Sequence, residues 1–134
     1  MARKKEKENG SRERVLLCVN AALERKARAL VILNVKEISA FADYFIICGG
    51  TSDRQVRAVS ATIQENLKKA GIMPLGVEGE AAGKWILLDY DDVIIHVFLE
   101  SAREFYDLER LWSEAPCMAV PDETASLKVL AEGM

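Results

Sequence analysis

Histidine occurs once in this chain, at His96, and cysteine three times, at Cys18, Cys48 and Cys117. The cysteines are odd in number, far apart, and form no C-x-x-C pair. That argues against both a disulfide scaffold and a structural zinc site. A single histidine excludes a multi-histidine metal centre, and a Cys-His catalytic pair would have only His96 to draw on. No apolar run approaches the ~18 residues that a membrane-spanning helix needs. The first ten residues are polar and charged, without the apolar stretch of a secretory signal, and Glu6 and Glu8 argue against an organelle transit peptide. The expected location is the cytoplasm, with no membrane contact.

An excess of positive charge is missing too. The formal net charge is −3. Through Arg14 six Lys/Arg face three Glu, a local +3, so the remainder carries −6. A mildly acidic body makes a poor general nucleic-acid binder, because neutralising phosphates takes clustered Lys/Arg. It suits a basic protein surface better. The basic N-terminus reads as a solvated, disordered tail over 1–10, with a peripheral contact to RNA as its functional alternative.

What the chain does have is a core. Half of its 134 residues are apolar, enough for one domain and too few for two comfortable ones. The domain is expected over 11–115, with a second tail over 116–134. Ser11 to about Arg28 has helical spacing in Val15, Val19, Ala22/Leu23 and Ala27. Leu30 to Val35 reads as a strand apolar on both faces, and Ser39 as the start of a single turn through Ala42. Tyr44 to Cys48 reads as a buried strand, Gly49-Gly50 as a tight turn at positive φ, and Ser52 with Gln55 as a capping box. The helix Asp53 to Ala70 carries the stripe Val56, Val59, Ile63, Leu67 and Ala70, and Gly71 ends it.

A third strand is expected over Ile72 to Val77, at an edge because of Pro74. Lys84 to Tyr90 and Val93 to Leu99 form a hairpin around Asp91-Asp92. Ser101 and Glu104 make a second capping box, opening a helix through about Leu111 that Pro116 stops. One weak helical turn is placed near Leu127 to Leu130. The fold class is α/β: a mixed sheet of about five strands with helices mainly on one face.

The stretch Gly49-Gly50-Thr51-Ser52 looks like a phosphate cradle, a glycine turn feeding a helix N-terminus. A nucleotidyltransferase would also need magnesium-binding carboxylates about one helix later. That interval offers only Glu65. The pair Asp89 and Asp91 lies beyond another strand, and there is no Walker lysine. A small magnesium-dependent nucleotidyltransferase using Gly50, Ser52, Asp89 and Asp91 is therefore the rival reading. The favoured one has no catalytic residue, no metal and no cofactor. His96 reads as a core or interface histidine held by one hydrogen bond.

Trp85 shares a strand face with Leu87 and Asp89, opposite Ile86 and Leu88. If helices cover one face of the sheet, the other leaves an apolar set open, and such a face is usually a partner site; the other reading of Trp85 is a plain core residue. In Phe105-Tyr106-Asp107-Leu108-Glu109-Arg110-Leu111-Trp112 the aromatics are expected to pack the helix onto the sheet, with Tyr106 and Arg110 able to share an exposed edge instead.

Taken together, the ordered blocks resemble the ribosomal silencing factor family (RsfS, or Iojap). They are Ala42 to Cys48 with Gly50 to Val56, Glu78-Gly79, Trp85 to Tyr90, Val93 to Phe98 with His96, and Ala102 to Trp112. The sequence departs from the family pattern at Asp91, where a glycine is expected, and at Leu99, where a polar residue or histidine is common. The resemblance implies a nucleotidyltransferase-like fold without its catalytic carboxylates. It further implies binding to the large ribosomal subunit through the ribosomal protein L-fourteen, a steric block to small-subunit joining when nutrients are scarce, and a homodimer when free. The expected docking residues are Lys84, Trp85 and Leu87, with Glu78-Gly79 alongside and Tyr106-Asp107 from the helix end.

Overall fold

The computed structural model describes residues 2–120, with side chains described from residue 10. The elements in chain order are α1 (Ala2–Glu24), β1 (Arg28–Asn34), β2 (Tyr44–Gly50), α2 (Asp53–Lys69), β3 (Gly76–Glu78), β4 (Trp85–Asp89), β5 (Val93–Leu99), α3 (Glu100–Tyr106), α4 (Leu108–Leu111) and β6 (Cys117–Ala119). The strands form one sheet in the order β3-β4-β5-β2-β1-β6. Only β2 and β5 run parallel, paired from Tyr44↔Val93 to Gly50↔Leu99. The other neighbours are antiparallel.

The mixed α/β sheet agrees with the sequence, with three differences in extent. The sheet has six strands rather than about five. The added one, β6, pairs Val31 to Leu33 with Ala119 to Cys117, so the domain runs past Ala115 into the stretch read as a tail. A three-residue strand has too little periodicity to be read locally, and it exists because β1 has a free edge. The stretch 1–10, read as a disordered tail, is helical from Ala2. Its Ala, Arg, Lys and Glu are good helix formers continuing a helix that is packed from Ser11 onward. The third strand starts at Gly76, with Pro74 in the approach to it, and it does lie at the sheet edge. The turn expected near Leu127 lies outside the described residues.

The sheet has two cores because its strands are apolar on both faces. On one face Ile32, Ile46, Ile86, Leu88, Ile95 and Val97 meet Val15 and Val19 of α1 and Val56, Val59, Ile63 and Leu67 of α2. On the other, Leu33, Val35, Phe45, Ile47 and Phe98 meet Ala102, Leu108 and Trp112 around α3 and α4. The two long helices therefore share one face, and the short pair covers part of the other. Burying a side chain such as Ile46 or Leu88, neither of which is exposed, contributes about 1.5–3 kcal/mol.

Helix α2 forms as its sequence predicts. Ser52 Oγ accepts the Gln55 N–H at 3.1 Å. Gly71 at φ 81° ends the helix, with Gly71 N–H bonded to the Lys68 carbonyl and Ile72 N–H to that of Leu67, the paired pattern of a Schellman motif. The return bond of the cap differs. Gln55 Oε1 accepts from Thr51 N–H at 2.8 Å, not from Ser52. Gln55 Nε2 reaches the carbonyls of Lys26 (3.0 Å) and Arg25 (3.3 Å), tying α2 to the end of α1.

Gly49-Gly50 is not a turn. Both residues complete β2, buried, and neither has positive φ. A Cβ at Gly50 would stand 3.1 Å from Val56 Cγ2 and 3.3 Å from Val56 N. The glycine lets the helix start close against the strand end. The second capping box does not form either. Strand β5 runs through Leu99, so α3 begins at Glu100 with no side-chain cap, and Asp107 in the left-handed region (φ 46°) breaks the expected continuous helix. Asp91 does adopt the left-handed conformation its place in the hairpin requires (φ 72°).

Candidate docking surface

Strand β4 alternates: Ile86 and Leu88 are buried, while Trp85, Leu87 and Asp89 are half-buried on the opposite face. That face is the one α3 and α4 cover only in part. Trp85 is paired across the ladder with Phe98, and their rings stack at 4.8 Å between centroids. The Tyr106 ring, arriving from the end of α3, lies 4.8 Å from the Trp85 ring. The Trp85 indole N–H donates to His96 Nδ1 at 3.0 Å.

The other expected docking residues gather on the same rim. Glu78 pairs with Leu87 across β3 and β4. Gly79 follows at φ 88°, and a Cβ there would lie 2.0 Å from the Trp85 carbonyl oxygen, so only glycine allows the loop to close on β4. Lys84, exposed beside Trp85, accepts the Leu99 N–H on its carbonyl at 2.8 Å. Asp107 ends α3 and turns the chain sharply into α4. Arg103 bridges that break by donating to Glu109 at 2.6 Å. Trp85 falls between the two sequence readings, open anchor and plain core: it is half-buried, one member of a packed aromatic cluster whose rim is exposed.

Two exposed residues of this region were not among the expected docking set. Phe105 is 81% exposed and Leu111 76% exposed. Sequence reasoning placed the aromatics of 105–112 against the sheet, and Trp112 does pack edge-on against Phe45 at 4.8 Å. Phe105 instead points outward beside Tyr106, at 5.1 Å. A helical wheel groups Phe105 with Leu108 and Trp112, three and seven residues on, and only the break at Asp107 takes Phe105 out of phase with them. Of the charged residues in these segments Glu78, Lys84, Glu104, Asp107 and Arg110 are exposed, and Glu104 and Asp107 line a groove with Arg28, Gly49 and Arg103.

The nucleotidyltransferase constellation does not assemble. Gly50 pairs with Leu99 at one end of β5, and Asp89 pairs with Ile94 near the other. Five residues of strand, about 17 Å, separate those levels. At the glycine end the donors of Thr51 and Gln55 are already held within the cap. Among the described residues no group of three or more His, Cys, Asp or Glu could hold a metal ion.

His96 is buried, and burial pushes its pKa down from 6.5 to about 4. Its Nδ1 accepts from a group that can only donate, so the neutral ring carries its proton on Nε2. Cys18 and Cys48 are buried free thiols, and burial pushes both well above the ordinary thiol range, Cys48 to about 12.

Fold and surface together define a small α/β domain in which Gly50 at the strand end serves packing and the Trp85 cluster presents an exposed aromatic rim. The chain matches the model of the family described as "Ribosomal silencing factor during starvation" over residues 8–132, and it belongs to that family. The match continues past Pro116, beyond the blocks that carry the resemblance by eye. A relative named ribosomal silencing factor RsfS, from Halalkalibacterium halodurans, is 41% identical over 106 residues, covering 79% of this chain and 91% of the relative. A mouse protein named "Mitochondrial assembly of ribosomal large subunit protein 1" is 29% identical over 107 residues, covering 78% of this chain and 47% of that protein. A crystal structure of a Chromobacterium violaceum protein superimposes with a TM-score of 0.74 at 31% identity, covering 86% of this chain and 92% of that one.

Proposed function

We propose that this protein silences ribosomes by binding the large subunit through the ribosomal protein L-fourteen and occupying space that the small subunit needs, so that translation falls under nutrient limitation. It acts in the cytoplasm, requires no cofactor, and is a homodimer when free. The observation that carries the reading is the Trp85 cluster with an exposed rim: Tyr106 (51% exposed) lies against Trp85, and Phe105 (81% exposed) lies beside Tyr106. An apolar centre on a body that carries −6 beyond Arg14 fits a partner with an apolar centre and a basic edge. The names of the relatives support a ribosomal target, and that of the mouse protein a large-subunit one.

Sedimentation of separated subunits tests this. Adding the wild type should lower the joined peak and leave the protein with the large subunit. Trp85→Ala should lose affinity by roughly 30- to 1,000-fold, as anchor truncations of about 2–4 kcal/mol do. Because Trp85 also packs on Phe98, Phe105→Ala is the cleaner partner variant, since that ring contributes little to the core. An unchanged joined peak with the wild type would refute the function. A full effect from both variants would refute the surface.

A further inference from the structure

We infer that His96 is a positioning residue for the docking surface: it holds the Trp85 indole by its N–H, so that Trp85 meets a partner as an apolar face with no hydrogen bond to satisfy. The inference rests on the proposed docking through Trp85 and specifies the chemistry of what docks there.

Three observations carry it. The Trp85 Nε1–His96 Nδ1 distance is 3.0 Å, between cross-strand neighbours on adjacent strands. The His96 ring is itself fixed, with Phe45 edge-on at 5.6 Å and the Phe98 ring parallel to it at 6.2 Å. The indole is caught between that bond, the stacked Phe98 and Tyr106. Indole N–H is a donor only. Under a docked partner an unpaired one would lose water and gain nothing, or would demand an acceptor from the partner. Here the acceptor is supplied from inside the fold. The partner surface over Trp85 is therefore aliphatic or aromatic, and its polar groups belong at the edge, against Glu78 and Lys84. Fixing the ring before docking also removes ordering entropy from the binding step.

Two measurements on the full chain test this. First, proton exchange of the Trp85 indole N–H is followed by NMR on isotope-labelled wild type, the signal being assigned by its loss in Trp85→Phe. Exchange at least tenfold slower than in the unfolded chain is expected; exchange at the unfolded rate overturns the proposal without recourse to any His96 variant. Second, affinities for purified large subunits are compared for wild type, His96→Phe, which removes the acceptor, and His96→Asn, which returns an amide oxygen near the place of Nδ1. His96→Phe should bind about tenfold more weakly, the scale of one unpaired buried donor. His96→Asn should recover most of that loss, a rescue that simple loss of packing would not show. His96→Phe at wild-type affinity overturns the positioning role. Wild type that binds no large subunits overturns the docking reading itself, and the inference with it.

Discussion

Arg14 Nη1 lies 2.6 Å from Asp92 Oδ1, joining the first helix to the turn between β4 and β5. The same guanidinium donates to the Tyr90 carbonyl at 3.2 Å. Ser11 Oγ reaches Asp92 and also Asp43, at 2.9 Å from the latter, and the Asp92 carbonyl accepts the N–H groups of Asp43 and Tyr44. One turn of α1 thus clamps the starts of both parallel strands. Replacing Asp92 by Ala would leave Arg14 and Ser11 without their main partner in a largely buried place. The expected cost is about 2–3 kcal/mol, below that of a wholly buried pair because Arg14 keeps some contact with water. Asp92→Asn, which still accepts from Arg14, should cost less than half of that. Urea unfolding of the two variants beside wild type measures the difference.

Gly71 and Gly79 both have positive φ, at 81° and 88°, yet alanine should act differently at each. Nothing lies within 4 Å of a Cβ at Gly71, whereas at Gly79 it would overlap the Trp85 carbonyl oxygen. Gly71→Ala should therefore cost only the conformational penalty, about 1–2 kcal/mol. Gly79→Ala should cost more, and it should also displace β4 and weaken large-subunit binding. Similar unfolding midpoints for the two variants would contradict the close approach.

The lowered pKa of His96 makes stability depend on pH with a definite sign. The folded chain holds the ring neutral down to about pH 4, while in the unfolded chain it takes up a proton near 6.5. As pH falls from about 6.5 to 4 the unfolded state binds the proton first, and stability is lost through that window. It levels off below it, after a loss of about 3 kcal/mol at most. In His96→Asn this part of the slope should vanish. Denaturant midpoints measured from pH 7 to 4 for both proteins give the comparison.

The three thiols should divide two to one toward a thiol reagent, because Cys18 and Cys48 are buried and Cys117 is exposed. A folded sample should show one equivalent reacting promptly and the other two only on unfolding. The thiolate is the reactive form and desolvation disfavours it at all three, so access decides: only Cys117 is open to the reagent. Prompt reaction of more than one equivalent would contradict the packing of α1 against β2.

Much of this was legible in the chain because it is set by near neighbours. The spacing of Val56, Val59, Ile63 and Leu67, the oxygen of Ser52 and the freedom of Gly71 specify α2 within a few residues of themselves. The alternation of Trp85 to Asp89 likewise assigns faces without reference to any other strand. Boundaries failed where a distant element decided them. Strand β6 is a strand only beside β1. Ser101 lost its cap because β5 continues to Leu99. Gly50 is glycine for the sake of Val56 on a helix packed against it, not for a turn.

The same division holds for the surface. Local pattern is enough to nominate Trp85, Leu87 and Tyr106, and to show the glycine stretch without a suitably spaced acid pair. That Gly50 and Asp89 lie about 17 Å apart along the sheet follows from strand register, which no local spacing encodes. That Trp85 spends its N–H on His96 follows from pairing between β4 and β5, and that Phe105 is left outside follows from the break at Asp107. Side chains such as these acquire their partners only when the backbone has closed, because hydrogen bonds and ring contacts act over a few ångströms while the residues making them lie many positions apart.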